Sequence, residues 1–593
     1  MDKKITVKFP LLNKSLEVEP GIKVSDACAI AGYPLNLVCG GKGTCKKCAV
    51  EIKEGGHLKK ILSCRETVYD NMQIMLKEDV QKAQILTSSS LDEINFKPSI
   101  RSLLFKREEL KTELGQNNWD VLHKLLGKEV EYPTLEIFQK MSFVYHNPEG
   151  INVILNKNKI IDIQPAGYSS KLYGIAFDLG TTSVVGYLYD LNENILIGID
   201  STLNKQTELG GDVISRIDQV INDKNKLSRL QQLAIDSLNQ IVENLCRENE
   251  VTAKDIYHAT LCGNSTMQHL ILGFYPEHLG KAPFTSTTHG AVEAKGEILG
   301  LKISPMGIVS FLPLLGGFVG ADTTAVLLSL PKDGKARLVI DLGTNGEIAV
   351  GKDTSYHVSS TACGPALEGA GIKHGMRGTD GAIEKVSMED GKLSYQVIGN
   401  IKPQGICGSG VIDLMALLFS QGVINKRGAF VPIDKIVDND LAARVVTREE
   451  QKVFVLAFKE ESSLNEDIYF SQKDIRQVQL AKGAIYTGCV MLMEEYGIKG
   501  ENLTEIIIAG AFGNYIDIEK AQSIGMLPWF KGVNVKSIGN AAGTGSQMYL
   551  LSEDKQNECN EIAENAVFVE LANNKSFATQ YMTNTYFTDL RLR

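Results

Sequence analysis

Alternation of apolar and polar residues begins almost at once, with Ile5, Val7 and Phe9 on one face of a predicted strand. A second short strand is predicted at 16–19, an alanine-rich helix at 24–31, and further strands at 49–52 and 72–75. The polar run Thr87-Ser-Ser-Ser-Leu-Asp breaks the pattern and reads as a linker over 87–95. Beyond it, residues 103–126 and 135–145 are helical in composition. The apolar runs 151–155 and 160–163 flank Asn156-Lys-Asn-Lys159, which predicts a hairpin. Residues 96–168 therefore form a small α+β middle domain, separate from an N-terminal domain at 1–86 and a large C-terminal domain at 169–593. His123 and His146 in the middle domain are read as surface or packing residues. The longest apolar stretch, 307–328, carries Pro313, several glycines and Asp322, which suits a buried core and not a membrane span.

One pattern occurs twice in the C-terminal part. An apolar strand ends in Asp178-Leu-Gly180-Thr181-Thr182, and the device returns at Asp341-Leu-Gly343-Thr344-Asn345-Gly346-Glu347. Each copy is followed by a second apolar strand, so the two form an internal strand–turn–strand repeat, with lobes at about 172–335 and 336–551 and an extension at 552–593. Glycine and threonine offer N–H and hydroxyl donors to phosphate oxygens, and an aspartate at a strand end can hold Mg²⁺. Asp178, Asp341 and Glu347 are the candidate catalytic acids. Gly180, Thr181, Thr182, Gly343, Thr344, Asn345 and Gly346 are candidate phosphate contacts, the two loops being expected to clamp the β- and γ-phosphates. Ile506-Ile-Ile-Ala-Gly510-Ala-Phe512 runs a buried strand into a glycine turn, which suits an adenosine site at Gly510 and Phe512. Gly405-Ile-Cys-Gly408-Ser409-Gly precedes an amphipathic helix and offers Gly408 and Ser409 at its N-terminus to an anion. Cys407 beside them is read as buried packing. Neither a P-loop nor a Rossmann glycine fingerprint stands in its proper context.

Composition narrows the class. Of 593 residues, 22% are charged and 43% hydrophobic, and the net charge is −9. Those values fit a soluble globular protein and exclude a fibre, a coiled coil or a disordered chain. A mildly acidic chain argues against a nucleic-acid partner. Nothing near the start resembles a signal peptide, so a cytoplasmic protein with reduced thiols is expected. Eleven cysteines are too sparse for a disulfide scaffold, but four of them fall together as Cys39, Cys45, Cys48 and Cys64. Two thiolates two residues apart can bind one metal centre from a single turn, and four satisfy a pair of sulfide-bridged irons. Glycines at 40, 41 and 43 let the backbone wrap and aim N–H groups at cluster sulfurs. Four cysteines would also hold zinc, although zinc ribbons pair two C-x2-C knuckles and only one is present. A [2Fe–2S] cluster is the expected occupant, with Cys28 on the preceding helix as a packing residue.

The N-terminal segment resembles a β-grasp ferredoxin, with an x5 spacing where plant-type ferredoxins have x4. Residues 172–551 resemble the actin-like, sugar-kinase and heat-shock chaperone ATPases through the three elements at Asp178–Thr182, Asp341–Glu347 and Ala509–Asn514. In that superfamily, two ribonuclease-H-like halves close on Mg-ATP. A ferredoxin fused to such an ATPase is similar to the reductive activators of corrinoid proteins that serve cobalamin-dependent methyltransferases. The stretches Asn204–Arg216, Gly263–Met267 with His269, Gly317–Asp322, Gly364–Gly369 and Ser471–Gly483 fit that family as well. The resemblance implies one-electron reduction of Co(II) to Co(I) on a corrinoid partner, an external low-potential electron donor and a homodimer through the C-terminal domain. The electron would run uphill. A deficit of about 100–200 mV costs roughly 2–5 kcal/mol, which ATP can offset only by binding two states differently. Ser359, Ser360 or Thr361 is a candidate to face the cobalt, and the alternative for this run is a simple polar turn before a helix. His269 is weighed between core packing and function. Two other readings stay open: an activator of a radical dehydratase, and a small-molecule kinase with a regulatory cluster, for which Glu347 or Asp322 would be the base.

Overall fold

A computed structural model of the chain describes residues 4–12, 14–18, 20–31, 49–54, 57–75, 94–168, 171–343, 345–369, 371–510, 513 and 515–592. The chain divides into two compact units. The first gathers residues 1–85, 89–329 and 542–564, and the second residues 86–88, 330–541 and 565–593.

In the first unit, the N-terminal segment forms a five-stranded mixed sheet in the order Lys14–Val18, Ile5–Phe9, Met72–Ile74, Ala49–Glu54, His57–Leu62. Ile5–Phe9 pairs antiparallel with Lys14–Val18 and parallel with Met72–Ile74. The alternation at Ile5, Val7 and Phe9 turns all three inward, where they meet Val24, Ala27 and Cys28 of the helix Val24–Ile30. The strand His57–Leu62 is an addition to the sequence reading. Its exposed Lys59 and Lys60 hide the pattern, and its pairing with Ala49–Glu54 decides the matter.

The middle segment is a three-stranded antiparallel sheet, Lys159–Pro165, Ile151–Asn156, Ile100–Phe105, with the helices Asn118–Leu126 and Leu135–Val144. The predicted hairpin forms, and Lys157 at its tip takes φ 51°. The predicted helix over 103–126 is corrected. Ile100–Phe105 is a strand whose Ile100 and Phe105 pair with Asn156 and Ile151, and only Asn118–Leu126 is helical. Adjacent Leu103 and Leu104 suit either state locally, and the neighbouring strand selects the extended one. His123 stacks on Trp119 as a surface packing residue.

The rest of the first unit is a six-stranded sheet ordered Ile195–Leu203, Ser183–Asp190, Tyr173–Leu179, Ile256–Gly263, Ile308–Phe311, Val292–Lys295. The second unit carries another, ordered Ser355–Thr361, Gly346–Lys352, Arg337–Leu342, Glu505–Ala509, Asn534–Ser537, with Val567–Phe568 beyond Ser355–Thr361. Each sheet opens with an antiparallel three-strand meander, and the first strand of each then pairs in parallel with a later one. One topology is thus used twice, as the repeated aspartate–glycine–threonine device predicts. The apolar stretch at 307–328 supplies the strand Ile308–Phe311 and the buried helix Ala321–Leu328. Among the described residues no helix is long and apolar enough to cross a membrane.

Candidate functional site

The two repeated hairpins carry most of the predicted chemistry. In the first unit, Tyr173–Leu179 and Ser183–Asp190 pair in register, with Leu179 opposite Val184. Gly180, Thr181 and Thr182 make the connection. The Gly180 N–H donates to the Ser183 carbonyl at 3.0 Å, and a Cβ on Gly180 would stand 2.7 Å from that oxygen, so the turn requires glycine.

Every carbonyl of this loop is held from one side. Asn204 Nδ2 donates to the Gly180 carbonyl at 2.9 Å, and the Asn204 backbone N–H donates to the Thr182 carbonyl at 2.8 Å. Arg216 Nη2 donates to the Thr181 carbonyl, and Asn264 Nδ2 donates to Thr181 Oγ1 at 2.9 Å. The sequence stretches Asn204–Arg216 and Gly263–Met267, which have a family likeness but no assigned role, therefore meet at the Gly180–Thr182 turn.

Gly317–Asp322 arrives there too. A Cβ on Gly320 would be 2.4 Å from Asn264 Cα, a backbone approach only glycine allows. It sets the helix Ala321–Leu328 so that Asp322 lies near Asp178. Burial pushes the Asp322 carboxyl up to about 6. The Thr323 amide, donating to Asp322 Oδ1 at 2.8 Å, works against that rise, and the charge of Asp178 adds to it. Cys262 completes the cluster, its Sγ 3.9 Å from Asp178 Oδ1. Burial and then the two carboxylates raise its thiol well above the usual range, so it is an inert neutral packing group. Two carboxylates forced together in a half-buried place suit a divalent cation.

That arrangement has a cost in the metal-free protein. The fold holds the Asp322 proton more tightly than the unfolded chain does, so stability falls as pH rises from about 4 to about 6 and is level above that. Asp322→Asn is expected to raise the melting temperature of the metal-free protein at pH 7.5 by a few degrees, and the difference closes below about pH 4. Thermal melts of both proteins across that pH range check it.

In the second unit, Arg337–Leu342 and Gly346–Lys352 pair with Asp341 opposite Glu347. The Gly343 N–H donates to the Asn345 carbonyl at 3.1 Å and closes the turn. Gly510 follows the parallel strand Glu505–Ala509 with φ +89°, and a Cβ there would be 2.7 Å from Asp341 Oδ1. Gly510 and the second loop are thus brought together, as a backbone approach at the carboxylate demands. Thr344 and Phe512 lie outside the described residues.

The hydrogen bonds of the Gly408 and Ser409 segment run elsewhere. Ser409 Oγ donates to the Glu384 carbonyl at 2.9 Å and Cys407 Sγ reaches the Ile383 carbonyl at 3.4 Å, so this helix start is tied to the strand Ala382–Glu389. Ser359, Ser360 and Thr361 are not a turn. They close the strand Ser355–Thr361. Ser359 Oγ donates to the Val569 carbonyl and Thr361 Oγ1 to the Gly346 carbonyl, while Ser360 Oγ stands 3.5 Å from Glu347 Oε1. Only Ser360 among the three is joined to a predicted site carboxylate. His269 is buried. Its Nδ1 meets the Ser265 carbonyl and its Nε2 accepts from the Thr287 N–H, which is a packing role.

Of the four predicted cluster ligands, Cys39, Cys45 and Cys48 lie outside the described residues. Cys64 is described. It sits 1% exposed in the turn after His57–Leu62, and the neighbouring Ser63 carbonyl accepts from Ser25 N–H on the helix Val24–Ile30. A shielded thiol on a fixed turn fits a cluster ligand. Among the described residues no group of three His, Cys, Asp or Glu side chains could hold a metal.

Comparison with known proteins follows the same division. Residues 335–593 match the family described as the C-terminal domain of RACo, the ASKHA domain, and residues 173–331 match its description of the RACo middle region. The chain is 49% identical over 587 residues to a corrinoid activation enzyme, RamQ, of Eubacterium limosum, covering 98% of this chain and 99% of that protein. It is 25% identical over 453 residues to a [Co(II) methylated amine-specific corrinoid protein] reductase of Methanosarcina barkeri, covering 70% and 77% of the two. A solved structure, the reductive activator for a corrinoid, iron-sulfur protein, aligns with a TM-score of 0.72 at 30% identity over 98% of each chain.

Proposed function

This chain belongs to the RACo family, and from that premise we propose that it is an ATP-dependent activase that returns a corrinoid protein from Co(II) to Co(I) by one electron. The observation that carries the reading is the near full-length likeness to a corrinoid activation enzyme. It extends past the ATPase part and takes in the N-terminal segment that this reading assigns to electron transfer.

Each part of the chain takes a role its chemistry suits. Asp178 and Asp322 are the pair that would hold Mg²⁺, which when bound neutralises developing phosphate charge. Thr181 and Thr182 offer N–H and hydroxyl donors to phosphate oxygens. Asp341 and Glu347, opposite each other across the second hairpin, are the acids placed to orient an attacking water. Gly343, Thr344, Asn345 and Gly346 would serve as further phosphate contacts, and Gly510 with Phe512 would admit the adenosine. Gly408 and Ser409 are assigned a supporting role at their helix start, where the Ser409 hydroxyl serves the adjoining strand. Cys39, Cys45, Cys48 and Cys64 would hold a [2Fe–2S] cluster, which supplies electrons one at a time. Ser360, beside Glu347, is the hydroxyl we favour for approach to the corrinoid. Reduced thiols suit a cytoplasmic setting. The external low-potential donor and a homodimer belong to the same reading, and sedimentation reports the second directly.

The test is anaerobic. Cluster-loaded protein, a chemical reductant and a Co(II) corrinoid protein are mixed with and without Mg-ATP, and the corrinoid's visible spectrum is followed. Conversion to Co(I) only with Mg-ATP is the expected result. Equal conversion without nucleotide sinks the reading.

A further inference from the structure

Arg216 is, with Arg337, one of the two largest fully buried side chains among the described residues, 0% exposed. Its Nε donates to the Gly210 carbonyl at 2.9 Å, its Nη1 to Gln206 Oε1 at 3.0 Å beside Met267 Sδ at 3.1 Å, and its Nη2 to the Thr181 carbonyl. All of its partners are neutral. Asp212, the acid whose charge acts on it, has its carboxylate engaged in capping the helix Val213–Asn222, accepting from the Ser215 N–H at 2.7 Å. Among the described residues no carboxylate forms an ion pair with the guanidinium. Burial draws its pKa down to about 9, partly countered by Asp212, which still leaves it protonated at neutral pH.

A buried charge without a counter-charge is among the costlier things a fold can hold. Here the charge sits directly behind the first phosphate loop. In a trans peptide the carbonyl and the following N–H point opposite ways. Holding the carbonyls of Gly180, Thr181 and Thr182 from the Asn204–Arg216 side therefore turns the N–H groups of Thr181, Thr182 and Ser183 the other way. Successive amides aimed outward, with a cation behind them, form a concavity for an anion. The hydrogen bond from Nη2 also polarises the Thr181–Thr182 peptide, which strengthens the Thr182 N–H as a donor.

We propose that Arg216 is a positioning residue for nucleotide phosphate: a buried, unpaired cation whose counter-charge is the phosphate held on the opposite face of the Gly180–Thr182 loop. It acts through the loop peptide and does not touch the nucleotide. The proposal rests on the nucleotide-binding reading above and sharpens it, because it assigns the loop's affinity for anions to a residue outside the loop.

The full chain is compared as wild type, Arg216→Met and Arg216→Lys, with binding of Mg-ATP and of adenosine measured separately by calorimetry. Arg216→Met is expected to bind Mg-ATP about 10- to 100-fold more weakly, the range of a lost charge-assisted hydrogen bond, while adenosine binds as before. Arg216→Lys, which keeps the charge but not the planar fork, is expected to fall between the two. A merely structural role would weaken both ligands together, so loss of adenosine binding in parallel with Mg-ATP overturns the proposal. So does an Arg216→Met protein that binds Mg-ATP within threefold of wild type. Should Arg216→Met not fold, Arg216→Lys decides: a Mg-ATP affinity equal to wild type overturns the proposal. A wild-type protein that binds no Mg-ATP at all would instead overturn the nucleotide reading, so the two failures are distinct.

Discussion

Asp178→Asn is expected to lower ATP hydrolysis and ATP-dependent Co(II) reduction by about 10³-fold, within the range seen when one preorganised electrostatic group is removed from an active site. The substitution keeps the size of the side chain and its place at the end of Tyr173–Leu179, so the hairpin register should survive. What it removes is half of the carboxylate pair with Asp322. The surviving Asp322 then loses its like-charged neighbour, and its carboxyl should move down towards the ordinary range, although burial, the larger cause, remains. Asp341→Asn should act the same way from the second hairpin, where the carboxylate is set against Gly510. In both variants the visible spectrum of the proposed iron–sulfur centre should match wild type, because the four cysteines proposed as its ligands lie in another part of the sequence. Steady-state phosphate release and the corrinoid spectrum are the two measurements. Loss of cobalt reduction with hydrolysis intact would separate electron delivery from the ATPase and defeat a coupled mechanism. Unchanged rates in both would remove these aspartates from the site.

The hairpins were legible because their signals are local. An apolar run, an acid, a glycine and a threonine lie within a few residues of one another, and two copies strengthen each other. The supports were not legible, because Asn204 and Arg216, Asn264, and Asp322 come from three separate stretches and meet only through sheet pairing and the Gly320–Asn264 backbone approach. Composition assigns them nothing: a buried arginine reads, in sequence, like any surface arginine on an amphipathic helix. The same limit explains Ile100–Phe105. Its two leucines and the charged residues after them suit a helix, and the strand Ile151–Asn156 decides otherwise from fifty residues away in the chain. Ser359–Thr361 show the reverse case. A hydroxyl-rich run suggests a turn, but hydrogen bonds along Gly346–Lys352 draw it into the sheet, and two of its three hydroxyls are then occupied by backbone carbonyls.

Arg337→Leu is expected to destabilise the second unit by about 3–5 kcal/mol, the usual penalty for breaking a buried ion pair by removing one partner. Arg337 is 0% exposed. Its Nε donates to Glu505 Oε2 at 2.9 Å, its Nη2 reaches Asp333 Oδ1 at 2.8 Å, and its Nη1 donates to the Pro331 carbonyl at 3.1 Å. Arg337 and Glu505 stand opposite each other at the start of two parallel strands, and the same register carries Asp341 opposite Ala509 at the far end. The ion pair therefore fixes, four residues away, how Asp341 meets the Gly510 turn. Truncation would leave Glu505 to Lys536 alone and Asp333 to Lys335. Burial alone would raise the Asp333 carboxyl, but hydrogen bonds from Lys335 and Arg337 hold it at about 2, and Glu505 is likewise held below its ordinary value by Lys536 and Arg337 against burial. For such depressed acids the stabilisation is present above the unfolded pKa and is lost as pH falls through the folded one. The gap between wild type and variant should thus be full at pH 7 and close between about pH 4 and pH 2. Arg337→Leu combined with Glu505→Leu should recover part of the loss, since an apolar pair leaves no stranded charge. Denaturant titrations of the three proteins measure this, and equal midpoints for wild type and Arg337→Leu at pH 7 would refute the ion pair as the register lock.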